Sequence, residues 1–362
     1  ERVASKKRTL SGLGIDSLKQ CCLTSLQILN PLYASRFVSV LFCLFAVSLN
    51  VTAQISKGGP QLVGGMSAQQ WLSKMQEAAV QNNYRGTFMF TRGNSSSTMN
   101  IVHRYFEGVE RARLRQLDGE MGEIIRNGET VMCVFPDNRI VQVEQSALSN
   151  KFTQDFVNFM PEQSQYELSI IGRDRMAERP CIILGITAKD SHRYSYRLWL
   201  DEEYGLLLKS ALRNADGKDL EHFQYTQVEF PVSIEDKELE SMISGDLMAH
   251  EEVPAVKKDK LWPSQTMWKT SWIPEGYMQI NGENQAGDNV MVYNDGLATY
   301  SVFIENIKEN TMPEGASQVG ATVAYVQQYE FGMHKYNVTV IGEIPVMTAM
   351  KIAESVEPSM TH

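Results

Sequence analysis

Basic charge, histidine, cysteine and long apolar runs are all scarce in this chain, and each scarcity removes a class of protein. Lysine and arginine number 34 against 43 aspartates and glutamates, a net charge of −9. That balance argues against a general affinity for nucleic acid. Five cysteines among 362 residues cannot make a disulfide scaffold. In the body of the chain no two histidines are closer than 28 residues, so no pair has metal-ligand spacing and no metal or cofactor is expected. No apolar run reaches the roughly 20 residues that a membrane-spanning helix needs. There is no G-x-S-x-G elbow and no glycine-rich loop followed by Lys-Ser/Thr, so no catalytic residue is expected and the chain does not read as an enzyme. Ser95-Ser96-Ser97 reads as a polar hairpin tip, and Asp201-Glu202-Glu203, between a strand and Gly205, as a solvated turn.

What is present first is an asymmetry. Residues 1–53 carry Arg2, Lys6, Lys7, Arg8, Lys19 and Arg36 against Glu1 and Asp16, which leaves the remainder at −13. Arg36 precedes an uncharged run over residues 37–49, and Val51-Thr52-Ala53 follows with small or branched side chains. A basic flank, a short apolar core and a small-residue end predict a secretory signal cleaved after Ala53, hence export to the periplasm. Residues 1–35 fit no targeting pattern, and a misassigned upstream start codon is one source for them. Phe42 before Cys43 is too large for a lipoprotein motif. Of the cysteines beyond the cleavage point, Cys133 and Cys181 sit in strand-like runs and read as two buried thiols, with a bridge as the alternative.

The body divides by composition into a flexible leader (54–65), a larger domain (66–232), a charged linker (233–260) and a smaller domain (261–358). Ser67 with Gln70 three residues later predicts a capping box. Trp71, Leu72, Met75, Ala78 and Ala79 then recur at helical spacing until Asn82-Asn83. From Tyr84 to about Phe230 the period is two, with Asp118-Gly119, Asn127-Gly128 and Asp216-Gly217 as tight turns, which predicts an antiparallel meander. Leu148, Phe152, Phe156 and Phe159 predict a helix within 146–159. Seven acids against one lysine over 235–252 read as a solvated face, helical in part through Leu239, Met242 and Ile243. The second domain is expected to hold strands near 289–294, 298–304, 321–327 and 336–342, with a helix from Val346 after Pro345.

Apolar side chains are left to carry function. Phe88 and Phe90 share one face of their strand with Gly86, and Tyr194, Tyr196, Leu198 and Leu200 share one face of theirs. With 18 methionines in the chain, a curved sheet so lined can accept acyl chains, although alternating aromatics in a strand are most often core.

Two stretches carry a family resemblance: Gly172-Arg173-Asp174-Arg175-Met176-Ala177-Glu178-Arg179-Pro180-Cys181, then Arg193-Tyr194-Ser195-Tyr196-Arg197-Leu198-Trp199-Leu200-Asp201. The second domain adds Trp272-Ile273-Pro274-Glu275-Gly276-Tyr277, Tyr293-Asn294-Asp295-Gly296-Leu297 and Ile341-Gly342-Glu343-Ile344-Pro345. In this order they resemble the RseB/MucB family of periplasmic sigma-E regulators, from about residue 67 to 356. The resemblance implies a mainly β fold with helices (α+β). Its larger part would be a LolA/LolB-like half-open antiparallel β-barrel covered by helices, and its smaller part an antiparallel sheet with a helix. It implies binding to the periplasmic part of an RseA-like inner-membrane anti-sigma factor, shielding from site-one proteolysis, and release by lipid or lipopolysaccharide. Phe88, Phe90, Tyr194, Tyr196 and Leu198 are then expected to border a lipid cavity. Trp268, Trp272 and Tyr300 are expected at the partner contact, or else in the small domain's own core. Homo-oligomer formation stays open. The rival readings are a lipid or lipoprotein carrier of LolA type without a regulatory partner, and a periplasmic hydrolase.

Overall fold

Ser67 opens the first helix as its capping box predicts: the Gln70 amide donates to the Ser67 hydroxyl (3.3 Å), and the Ser67 amide donates to the Gln70 side chain (2.8 Å). The resulting α1 (Ala68–Gln81) buries Trp71, Leu72, Met75, Ala78 and Ala79, the apolar stripe anticipated from their spacing. In this computed structural model the described residues are 62–119, 121–128, 130–134, 139–144, 165–231, 233–243, 246–248, 268–280, 290–307 and 313–359. The export signal, most of the leader, the helix expected over 146–159 and linker residues 249–260 lie outside them.

The period-two region forms one large sheet. Its strands are β1 (Tyr84–Arg92), β2 (Ser95–Phe106), β3 (Val109–Gln116), β4 (Glu123–Asn127), β5 (Thr130–Val134), β6 (Arg139–Glu144), β7 (Tyr166–Met176), β8 (Arg179–Ala188), β9 (Ser195–Asp201), β10 (Leu207–Arg213), β11 (Asp219–Glu229) and β12 (Asp246–Met248). Their order is β12-β6-β5-β4-β3-β2-β1-β11-β10-β9-β8-β7. Two meanders, β1–β6 and β7–β11, are therefore joined where β1 pairs β11, and β7 and β12 end the sheet without meeting, so it is not a closed barrel. β12 pairs β6 in parallel; the other neighbours are antiparallel.

A second sheet follows, with β14 (Met278–Gln279), β15 (Val290–Asn294), β16 (Thr299–Asn306), β17 (Gly315–Val319), β18 (Thr322–Phe331) and β19 (His334–Gly342) in the order β14-β15-β16-β19-β18-β17. The helix expected after Pro345 is α2 (Val346–Glu354), which places Ala349, Ile352 and Ala353 in the small core. The short pair β13 (Trp268–Thr270) and β20 (Val356–Pro358) joins the two ends of this domain.

Three local expectations are corrected, and one turn is found that no residue signal marked. Ser95, Ser96 and Ser97 lie in β2 opposite Arg92, Thr91 and Phe90, because the turn is a tight Gly93-Asn94 pair. Between β7 and β8 the chain reverses through Ala177 and Glu178, both at positive φ (46° and 65°), a hairpin without the usual glycine or asparagine signal. Asp201 is fully buried: it takes hydrogen bonds from Arg179 and from the amides of Glu203 and Tyr204, so this turn is built on a carboxylate and not merely solvated. Residues 239–243 are not helical. Asp236–Glu238 is a single 3-10 turn, and the chain from Ile234 to Met242 lies against β2, β3 and β4. Cys133 and Cys181 are buried on β5 and β8 and are not bridged, and burial pushes the Cys181 thiol up to about 11.

The capping box gives a direct test of α1. Ser67→Ala removes its side-chain acceptor and is expected to cost about 1 kcal/mol, read as a lower urea midpoint at unchanged slope.

Candidate functional site

Register brings four of the five residues expected at a lipid cavity, Phe88, Phe90, Tyr196 and Leu198, onto one face of the large sheet, and Tyr194, just ahead of β9, joins the same apolar cluster. Phe90 of β1 lies opposite Phe223, Phe223 opposite Ser210, Ser210 opposite Leu198, and Leu198 opposite Leu184, a single rung across five strands. The neighbouring rungs hold Phe88 opposite Tyr225, and Tyr196 between Leu212 and Ile186. Phe88 meets Phe223 and Tyr225 edge-on at ring separations of 4.8 and 5.6 Å. Trp71, Leu72 and Met75 of α1 belong to the same apolar cluster. Phe88, Tyr194, Tyr196 and Leu198 are buried here, and Phe90 is half-buried against them.

Tyr194 has a second role that spacing did not reveal, because it stands where the two sheets meet. Its hydroxyl donates to the Ile344 carbonyl (2.9 Å) and accepts from Gln318 (3.4 Å), and burial pushes its pKa up to about 12. Beside it, the Arg193 side chain is 0% exposed and is held on three sides. Its Nε donates to Asp190 (3.0 Å), one terminal nitrogen donates to Asp295 (2.6 Å), and the other donates to the Glu275 carbonyl (2.5 Å). The guanidinium also lies over the rings of Tyr277 (4.9 Å) and Tyr166 (5.5 Å). Asp295, 1% exposed, takes a further bond from the Tyr166 hydroxyl (3.1 Å) and from the amides of Leu297 and Ala298. Burial also holds the Tyr166 and Tyr277 hydroxyls above the usual phenol range.

The backbone is shaped to allow this approach. Pro274–Tyr277 is a turn closed by the Tyr277 amide on the Pro274 carbonyl (3.2 Å), with Gly276 at φ 85°. A Cβ on Gly276 would lie 2.8 Å from the Gln165 side chain across the seam. Farther along, Arg92 and Glu221 pair at 2.9 Å, Glu221 accepts the Ala321 amide (2.9 Å) and Arg92 donates to Thr322. Leu297 and Ala321, from the small domain, enter the apolar cluster of the large one.

The partner-contact expectations divide. Tyr300 is fully buried in the small core, stacked on Tyr293 (4.9 Å) and tilted on Tyr277 (5.1 Å). Trp268 is buried against Tyr329 and Tyr336. Trp272 is half-buried at the seam, edge-on to His192 (5.2 Å) and under the Lys351 ammonium (3.9 Å), while His192 hydrogen-bonds Thr348 (3.2 Å). Sequence reading missed Arg193 and Asp295. They are 102 residues apart, and the signal lay only in their membership of quoted stretches. Among the described residues no group of three or more His, Cys, Asp or Glu could hold a metal ion, and no helix is long and apolar enough to cross a membrane.

Comparison with known proteins is consistent along the whole described length. The MucB/RseB N-terminal domain family matches residues 67–243, and the MucB/RseB C-terminal domain family matches residues 263–357. The sigma factor AlgU regulatory protein MucB of Pseudomonas aeruginosa is 33% identical over 301 residues, 80% of this chain and 91% of that protein. The sigma-E factor regulatory protein RseB of Haemophilus influenzae is 27% identical over 299 residues, 81% of this chain and 91% of that protein. A solved complex of Pseudomonas aeruginosa MucA/MucB superposes with a TM-score of 0.64 at 31% identity, covering 81% of this chain and 99% of that one.

Two measurements probe the seam. Asp295→Ala removes one of the two carboxylates on the buried Arg193, the one that comes from the small domain, leaving Asp190 as its counter-ion. It is expected to cost about 3 kcal/mol and to split one unfolding transition into two; a single transition of unchanged midpoint would refute the role given to this pair. Tyr194 keeps its proton in both states below about pH 10. Between pH 10 and about 12 the unfolded chain ionises first, so stability falls as pH rises through that window. Tyr194→Phe should flatten that decline in urea titrations.

Proposed function

The chain belongs to the MucB/RseB family, and from that premise we propose that it is a periplasmic negative regulator of the sigma-E envelope stress response, binding the periplasmic part of an RseA-like anti-sigma factor. The observation that carries this reading is the match of both family domains, in order, over both sheets, together with a fold shared with MucB bound to MucA. Its work is binding and not turnover. While bound, it shields the anti-sigma factor from site-one proteolysis. Export through the apolar run of residues 37–49, with cleavage after Ala53, brings it to the periplasm.

Release by lipid or lipopolysaccharide is the finer part of the proposal. A ligand shifts such an equilibrium only by its differential affinity for two states. The apolar face bearing Phe88, Phe90, Tyr196 and Leu198 supplies the acyl site. Phe90, half-buried, is its point of entry. Tyr194 lies on that same face and also bonds the small domain at Ile344, so an acyl chain that reorganises the face strains the seam directly. Trp272, at the seam, is the proposed aromatic contact for the partner, with Trp268 and Tyr300 as the packed framework behind it. A carrier of LolA type would use the same apolar face and no regulatory partner.

Co-purification with a single-span anti-sigma protein, with and without lipopolysaccharide, tests both parts. The protein is expected to retain the periplasmic fragment, to slow its cleavage by the site-one protease, and to lose it when lipopolysaccharide is added. Phe90→Ala should keep the partner and need several-fold more lipopolysaccharide for release. Lipid binding with no retention of any anti-sigma fragment would favour the carrier instead.

A further inference from the structure

The face of the large sheet opposite its apolar core is lined with arginine. Alternation along β3 puts Arg111, Arg113 and Arg115 on that face. Register adds Arg104 of β2, opposite Arg111, and Arg85 of β1, opposite Val102. Residues 233–243 run over this row as an acidic strap. Asp236 accepts from Arg104 (2.6 Å) and Arg111 (2.7 Å), and Glu238 pairs with Arg85 (2.9 Å). The Ile234 carbonyl accepts from Arg104 (2.9 Å) and the Glu240 carbonyl from Arg113 (2.9 Å). Ile234 and Leu239 bury against Val102, and Glu123 holds the Ser241 hydroxyl (2.6 Å) and the Met242 amide (3.0 Å).

The strap matches the row poorly. Arg85, Arg104 and Arg111 each meet a carboxylate. Arg113, only 8% exposed, has a backbone carbonyl, and Arg115 has the Met242 thioether (3.3 Å). The Nε–H donors of Arg111, Arg113 and Arg115 are buried without a hydrogen-bond partner. A buried guanidinium lacking a counter-ion is costly. Its planar fork, Nε with a terminal nitrogen, is shaped for two oxygens of one tetrahedral anion. Residues two apart on a strand stand about 7 Å from each other, so a ligand with more than one phosphate can engage successive forks. Glu123, opposite Arg115 in register, also lies on this part of the face; its Oε2 serves the strap and its Oε1 is buried without a hydrogen-bond partner.

We propose that the row Arg104, Arg111, Arg113 and Arg115 is a binding site for a phosphorylated ligand, occupied in the resting protein by the acidic strap, which the ligand displaces. This goes beyond the anti-sigma reading and does not rest on it, since none of these residues contributes to the apolar face or to the Arg193 seam. The phosphate can belong to a soluble polyphosphate or to a lipid headgroup.

Displacement is readable in the intact protein without any partner. Lys237 sits exposed in the strap, so limited trypsin digestion reports whether the strap is seated. Sodium pyrophosphate, against sodium chloride at equal ionic strength, is expected to raise the rate of cleavage after Lys237 about fivefold, and to saturate. Arg115→Gln, which removes a half-buried side chain with no carboxylate partner, should raise the half-saturating concentration about tenfold. Asp236→Asn should lower it. A parallel arm with phosphatidylcholine vesicles doped with phosphatidate separates the sources: acceleration by vesicles alone assigns the site to a headgroup at a surface, and acceleration by pyrophosphate alone to a soluble ligand. Equal rates in pyrophosphate, vesicles and chloride overturn the proposal. So does acceleration by a synthetic peptide copy of residues 233–243 when neither phosphate source has an effect, which would make the row an acidic-peptide site.

Discussion

Arg193 is a full positive charge taken out of water at the seam between two sheets, and nearly everything else at that seam is arranged around satisfying it. Removing a guanidinium from water costs several kcal/mol even after relaxation. That cost is offset only if charge, hydrogen bonds and shape are all supplied together. Asp295 provides the charge, Asp190 and the Glu275 carbonyl the remaining bonds, and the Tyr166 and Tyr277 rings the faces. Three of these five partners come from the small domain. The pair therefore contributes less to net stability than to uniqueness, since a shift of the small sheet by one residue would leave the buried cation with Asp190 only and its other donors unmet. A buried, fully paired seam of this kind comes apart as a unit and not by gradual deformation.

Four of the five stretches that carried the family resemblance reach this seam; the fifth, Gly172–Cys181, is the β7–β8 hairpin. Arg193-Tyr194, Glu275-Gly276-Tyr277, Asp295 and Ile344 are far apart in sequence and meet there. Their grouping was invisible in one chain, because no periodicity links an arginine in one domain to an aspartate 102 residues later. Features governed by local physics were far more legible. The capping box at Ser67, the apolar stripe of α1, the β meander and its Asn-Gly and Asp-Gly turns all follow from contacts within a few residues. Alternation put Phe88 and Phe90 on one face of their strand and Tyr196 and Leu198 on one face of theirs; the register through β11 and β10, which no single strand reveals, brings the two pairs onto the same face of the sheet.

The failures were equally physical. Ala177 and Glu178 adopt the left-handed conformation without glycine, at a cost of about 1–2 kcal/mol per residue, because eleven-residue β7 and ten-residue β8 zip together on both sides and over-determine the turn. Residues 239–243 had helical spacing but gained more by following a bent path over Arg113 and Arg115 of β3 and Glu123 of β4. A charge run reads as solvated only when nothing opposite waits for it. Tyr300 and Trp268 illustrate the converse: an aromatic cluster ahead of a small sheet is most economically explained as that sheet's own core.

The same logic orders the two faces of the large sheet. One is apolar and covered by α1; the other is cationic and covered by a strap drawn from the acidic segment that leads toward the second domain. The strap is tied at one end where Asp236 bridges two arginines and at the other where Glu123 takes the Ser241 hydroxyl and the Met242 amide, while between these ties Arg113 and Arg115 meet only a carbonyl and a thioether. After the strap, β12 pairs with β6, so residues 233–243 form a loop that the large sheet holds at both ends. Lifting that loop would be an event within the large sheet, separate from the Tyr194–Ile344 bond at the seam. The cationic face and the seam are thus distinct elements whose energies need not be coupled.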